Sequence, residues 1–221
     1  MDPKGSGGDV IAALFVETNG TYFGLPDVDP WDATRDARLY DGPHPVVAHP
    51  PCERWGRYWG GGPMLAGTPK QKSLGDDAGC FASALASVRR WGGVLEHPEA
   101  SHAWRRFGLV APRIQCGWEP AGDFVGWTCR VEQGHFGHRA RKATWLYAVG
   151  VHLPSLPWGP SRSTVRLDDG FHSKEERRRF RRLAKGASAG GRMGKRERLA
   201  TPIPFRDLLL SIARSARSVA A

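Results

Sequence analysis

Short apolar runs broken by glycine, proline and polar residues predict strands alternating with helix over the first two thirds of the chain. Residues 10–16 (VIAALFV) form an apolar run of strand length between glycine-rich and polar neighbours, the signature of a buried strand. Thr18, Asn19 and Gly20 follow as a turn, and residues 45–48 (PVVA) predict a second strand ending at His49-Pro50-Pro51-Cys52. A glycine- and aromatic-rich loop then runs to about residue 75. Residues 76–91 carry the clearest helical pattern: Asp76 and Asp77 suit a helix start, and Phe81, Leu85 and Val88 recur on one face. Gly92-Gly93 stops that helix, residues 93–96 start another strand, and residues 143–151 (ATWLYAVGV) predict one more. Strand, turn, helix and strand in this order predict an α/β domain with a parallel sheet covered by helices.

The pattern changes after Leu153. Proline and serine accumulate to Ser163, and a dense Arg/Lys stretch occupies residues 174–198, with a glycine-rich interior at 186–194. Residues 205–219 return to helical spacing, with Phe205, Leu208, Leu209 and Ile212 on one side. The organisation expected is a catalytic α/β core over 1–153, a basic insertion over 154–200 and a closing helix over 201–221 that packs back on the core.

Charge adds a partner class. The 221 residues carry a formal net charge of +10, which points to a polyanion, and nucleic acid suits it better than a membrane because no basic amphipathic helix stands out. No apolar stretch approaches the roughly 20 residues of a membrane span, and the polar start does not read as a signal peptide. A cytoplasmic protein, monomeric and partnered by DNA, is the expectation.

Candidate chemistry centres on one thiol and one carboxyl. Cys52, Cys80, Cys116 and Cys129 are widely spaced with no Cys-x-x-Cys pair, which argues against a zinc ribbon or a disulfide framework. Three of them read as small buried hydrophobes. Cys52 differs, because a Pro-Pro pair stiffens the backbone before it at a strand end, where α/β sheets display reactive groups. Glu96 is at a second predicted strand end. A cysteine nucleophile and a carboxylic acid suit attack on C6 of a pyrimidine, the thiolate adding while the carboxyl bonds or protonates ring N3, so that C5 becomes a carbon nucleophile.

The order of these motifs resembles the DNA cytosine-5 methyltransferase family. Residues 14–20 (LFVETNG), followed by Gly24-Leu25, resemble that family's first motif, the Phe-x-Gly-x-Gly turn that holds S-adenosylmethionine; Pro50-Pro51-Cys52 resembles its nucleophile motif; residues 94–96 (VLE) resemble the start of its Glu-Asn-Val motif; and Arg139 with Arg141 resembles its paired arginines. Coverage runs from about residue 14 to 149, and the resemblance implies a final cofactor-contacting helix at residues 201–213. The resemblance implies a Rossmann-like methyltransferase fold with a mostly parallel sheet, a compact phage-like member working in a bacterial or infected host cell, and cytosine C5 methylation in DNA by base flipping. It implies Cys52, Glu96, Arg139 and Arg141 as catalytic residues, and Phe15, Glu17, Asn19, Gly20, Asp36 and Pro50 around S-adenosylmethionine. The chain departs from the pattern where Glu17 and Asn19 replace glycines, where His97-Pro98 replaces Asn-Val, and where Gly137 stands for a glutamine; little room for a strand remains between Leu25 and Asp36. Other pyrimidine chemistry on the same scaffold, such as deamination, or a non-catalytic DNA-binding decoy or regulator, are the alternatives.

For DNA itself, the loop after the nucleophile offers Arg54, Trp55, Arg57 and Tyr58, the residue types needed to touch phosphates and stack on bases around an extruded nucleotide. Lys142 and, in the basic stretch, Arg178 and Arg181 are further expected phosphate contacts. His135, His138 and Cys129 could suggest a metal site, but Gly134 and Gly137 make a shared helix face there a poor expectation, and no metal is expected.

Overall fold

The computed structural model describes residues 10–56, 58–61, 65–163, 165, 167, 193 and 195–216. Its centre is a seven-stranded sheet formed by β1 (Ile11–Leu14), β2 (Val28–Trp31), β3 (Val46–Ala48), β4 (Gly93–Pro98), β5 (Glu119–Pro120), β6 (Trp127–Glu132) and β7 (Ala143–Val149). The strand order is β2-β1-β3-β4-β7-β6-β5. Helices α1 (Cys80–Trp91), α2 (His102–Arg106), α3 (Lys195–Leu199) and α4 (Ile203–Arg214), with 3₁₀ turns at Ala37–Leu39 and Gln133–Phe136, complete the described elements. The α/β expectation holds. The sheet is mixed, however: the β2-β1-β3-β4 half is parallel, and the β4-β7, β7-β6 and β6-β5 pairs are antiparallel.

Burial on both faces explains why β1 and β3, the inner strands of the parallel half, are apolar throughout. Ala12 and Leu14 of β1, with Val46, Ala48 and Leu95, face one layer, into which α1 presses Phe81, Ala84, Leu85 and Val88. Ile11 and Ala13, with Val47 and Val94, face the other, where α4 packs Phe205, Leu209, Leu210 and Ile212. Helix α1 begins at Cys80, after the two aspartates, because Asp77 caps it from outside: Oδ2 accepts from the Phe81 amide at 2.8 Å and Oδ1 from the Gly79 amide at 3.0 Å. Gly93 is required where β4 starts, since φ is +125° and a Cβ would strike the Val46 carbonyl across the parallel ladder.

Strands β2, β5 and β6 are findings beyond the sequence expectation. The space between Leu25 and Asp36 does contain a strand, Val28–Trp31, whose VDPW sequence hides it; it is an outer strand of the sheet, where Pro30 costs no central ladder bond. Of the cysteines expected in the core, Cys129 is buried, Cys80 is partly exposed and Cys116 exposed. Among the described residues no helix is long and apolar enough to cross a membrane.

Candidate functional site at the carboxyl edge of the parallel strands

In-register parallel pairing lays the chemistry of the site side by side. Val46, Val47 and Ala48 pair with Gly93, Val94 and Leu95, so His49, just past β3, and Glu96, where β4 continues beside β7 alone, are neighbours. The His49 amide extends the ladder by donating to the Leu14 carbonyl at 3.0 Å, and its ring Nδ1 lies 2.9 Å from Glu96 Oε2. Three residues on, the Cys52 carbonyl accepts from the amides of both Trp55 and Gly56 at 3.0 Å, a tight turn that holds the thiol at the strand edge. Cys52 and Glu96 line one open cleft of about 2230 Å³.

The antiparallel half of the sheet supplies the rest. Because β7 runs opposite to β4, its start lies beside the end of β4, which delivers Arg141 and Lys142 to the cleft. Strand β6 runs with β4 again, so the residue after it, Gln133, arrives at the same edge; its Nε2 donates to Glu96 Oε1 at 3.2 Å and to Thr144 Oγ1 at 3.0 Å. The opposite wall is the turn after β1, where the Tyr22 hydroxyl lies 2.8 Å from His49 Nε2. Both oxygens of Glu96 are therefore engaged from within the chain.

Electrostatics gives each group a resting state. Burial raises the Cys52 thiol above its ordinary value and the Glu96 charge adds to that, while Lys142 pulls weakly the other way. Burial would also raise Glu96, but the hydrogen bond and charge from His49, helped by Lys142, outweigh it and hold the carboxyl below its usual range. Burial lowers Lys142, whose ammonium donates to the Ala200 and Leu199 carbonyls at 2.8 and 3.3 Å. The resting site is thus a protonated thiol and an ionised carboxylate in one cleft, with a partly buried lysine whose charge acts on both.

Most of the expected residues reach this cleft. Phe15, Glu17, Asn19, Gly20, Pro50, Arg54, Tyr58 and Arg141 line it with Cys52, Glu96 and Lys142. Three expectations need correction. Asp36 is away from the cleft lining, capping a 3₁₀ turn over Ala37–Leu39 and pairing with Arg38 at 2.7 Å. At the end of β2, Asp32 is the acid nearer the turn, and Thr18 Oγ1 donates to it at 2.7 Å. Trp55 is only 4% exposed, packed on Phe81 and Phe107 with Nε1 bonded to Asp77, so it is a core residue and not a stacking platform. Arg139 pairs with Glu197 of α3 at 2.7 Å and does not line the cleft. Lys142 lines the cleft as expected, partly buried, with its ammonium held on the Leu199 and Ala200 carbonyls. Arg57, Arg178 and Arg181 lie outside the described residues.

The residues not anticipated from sequence are His49, Tyr22 and Gln133. Only His49 carried a signal, its place directly before Pro50-Pro51-Cys52; Tyr22 and Gln133 come from a turn and a strand end that no short motif marks. His135, His138 and Cys129 do not converge: His135 Nε2 meets the Gly159 carbonyl, His138 the Ala140 and Glu197 carbonyls, and Cys129 is buried. Compared with known proteins, the chain matches no family model, no curated protein and no solved structure.

Proposed function

We propose that the protein modifies C5 of cytosine in DNA through a covalent bond between Cys52 and C6 of an extruded base, with Glu96 handling the proton at ring N3. The observation that carries this reading is the convergence of Cys52, in the turn after β3, and Glu96, just past the β3–β4 ladder, on one open cleft. The Cys52 S–H bond breaks as the S–C6 bond forms, and the electron pair of the C5–C6 double bond shifts towards C5 and N3. Glu96, ionised at rest, accepts the thiol proton and donates it to N3, so the addition is neutral overall and leaves C5 nucleophilic. After C5 is substituted, its proton leaves to water, N3 returns its proton through Glu96, and elimination restores the double bond and frees the thiol. The open cleft of about 2230 Å³ has room for a flipped base, which the chemistry requires because C5 and C6 are shielded within the stack.

S-adenosylmethionine supplies an electrophilic methyl group for C5 in this scheme. The turn after β1 fits such a donor on its own geometry: Asn19 has φ of +56°, the left-handed conformation for which glycine is the usual residue, so its replacement leaves the backbone turn in place. The exposed Glu17 carboxylate offers a counter-charge for a sulfonium or ammonium group, and Phe15 an apolar surface. Phe15, Glu17, Asn19 and Gly20 would hold the donor, while Arg54, Tyr58 and Arg141 face the DNA.

The test is a covalent complex with DNA carrying 5-fluorocytosine, resolved on a denaturing gel: the native chain forms it in the presence of S-adenosylmethionine, and Cys52→Ser does not. An undiminished adduct in Cys52→Ser removes the thiol from the reaction. One observation favours a second reading, a DNA-binding protein without turnover: the thiol is raised and not activated at rest. DNA binding with no adduct and no altered nucleoside by mass spectrometry would select that reading.

A further inference from the structure

We propose that Tyr22 and His49 form a proton-relay and positioning pair behind Glu96, so that the working unit is Tyr22–His49–Glu96 and not an isolated carboxyl group. The proposal rests on the cytosine reading above and deepens it. Three observations on the page carry it. His49 makes a side-chain bond with each ring nitrogen, Nδ1 to Glu96 Oε2 at 2.9 Å and Nε2 to the Tyr22 hydroxyl at 2.8 Å. Tyr22 is buried and His49 and Glu96 nearly so, and the Tyr22 and His49 rings lie in tilted contact at 5.4 Å, so the chain of contacts is held by packing. Gln133 occupies the other Glu96 oxygen with an amide that cannot titrate, which leaves Oε2 and the imidazole as the titratable path.

Both protonation states of the imidazole satisfy these contacts. As a neutral ring, Nδ1–H donates to Glu96 and Nε2 accepts from the Tyr22 O–H; as an imidazolium, Nδ1–H and Nε2–H donate to Glu96 and to the Tyr22 oxygen. The pair can therefore lend a proton without breaking a bond between heavy atoms. When N3 gains electron density, the proton on Glu96 passes to N3, and the Nδ1 proton of the imidazolium moves to Oε2. The imidazole left behind still has Nε2–H to donate to Tyr22. On elimination the same proton retraces the path. Electrons and protons balance within the base, Cys52, Glu96 and His49, with no further reagent. His49 and Tyr22 act through Glu96 and are positioning residues.

The experiment uses the full chain with mixed-sequence DNA in which cytosine is replaced by 5-fluorocytosine, with S-adenosylmethionine, and reads three quantities: the single-turnover rate of adduct formation, the DNA Kd and the melting temperature. His49→Ala should slow the adduct by about 100-fold, the lower range for a positioned acid–base group, with Kd unchanged, and added imidazole should recover about tenfold of that loss. Tyr22→Phe, which deletes one oxygen, should slow it by about tenfold, less than loss of the whole acid–base group. Rates for both variants within about twofold of the native chain would overturn the proposal while leaving the Cys52 reading intact, because that factor is far below a positioned proton donor's contribution. So would a folded His49→Ala protein whose slow rate imidazole does not improve. If His49→Ala melts below the assay temperature, Tyr22→Phe decides, and a native rate there overturns the relay. No adduct from the native chain overturns the cytosine reading itself, and the relay with it.

Discussion

Trp55 Nε1 donates to Asp77 Oδ2 over 2.8 Å, and the same oxygen accepts the Phe81 amide, so one carboxylate joins the turn after Cys52 to the first turn of α1. The thiol is thereby braced against the helical layer of the core. Trp55→Ala removes a buried indole and should cost about 3–5 kcal/mol, while Asp77→Ala removes the cap and one indole bond and should cost about 1–2 kcal/mol. Urea denaturation measures both. DNA affinity of the variants that remain folded should be native, since Trp55 faces Phe81 and Phe107 and not the cleft.

The thiol should report the charges around it. Glu96 raises the Cys52 pKa and Lys142 lowers it. The pH midpoint of iodoacetamide alkylation at Cys52 should therefore shift down in Glu96→Gln and up in Lys142→Met. Opposite or absent shifts would show that the two groups do not share the field of the thiol. Cys116, which is exposed, must be replaced first so that it does not mask the signal.

His97 should make the fold acid-sensitive. The ring is fully buried between Phe81 and Trp104, and neither nitrogen has a partner of good hydrogen-bond geometry, the Pro51 carbonyl being the polar group that faces it. Burial lowers its pKa to about 4. The unfolded chain, with a histidine near 6.5, binds the proton first, so this contribution is intact above about pH 6.5 and is lost as pH falls towards 4, on the order of 3 kcal/mol. His97→Phe should flatten the stability profile over that window, read by thermal melting from pH 7 to 4.

A second acid transition should lie lower. Asp32 is held to about 2 by hydrogen bonds from the Thr34 and Thr18 side chains and the Arg35 and Thr34 amides. Its folded pKa is below the unfolded carboxylate value, so its contribution is present above about pH 4 and disappears as pH falls through about 2. Asp32→Asn should weaken the slope of stability against pH in that range only, and loosen the turn after β1 that Thr18 anchors.

On the proposed function, DNA binding should be dominated by phosphate contact and fall steeply with salt, as the +10 net charge implies. Arg141 is exposed at the cleft, its Nε donating to the Ser163 carbonyl. Arg141→Ala should weaken binding evenly across sequences and reduce the salt slope by about one. Fluorescence anisotropy at several salt concentrations measures it; an unchanged slope would remove Arg141 from the interface.

The sequence by itself determined strands β1, β3 and β4 of the parallel half, the main and closing helices, and the reactive Cys52 and Glu96 that follow apolar strand runs. Those features are local: an apolar run buried on both faces, a helical stripe, or a proline-stiffened cysteine is visible in a short window of residues. The tertiary structure alone decided that β6 and β7 run antiparallel, which brings Gln133 and Lys142 to the edge where His49 and Glu96 already lie. It also decided that Trp55 turns inward and Asp36 stays away, because burial and long-range pairing depend on partners far along the chain that no local pattern encodes. The hydrogen-bonded chain from Tyr22 through His49 to Glu96 spans 74 positions between its ends, and only the register of β3 against β4 and the fold of the turn after β1 bring it together.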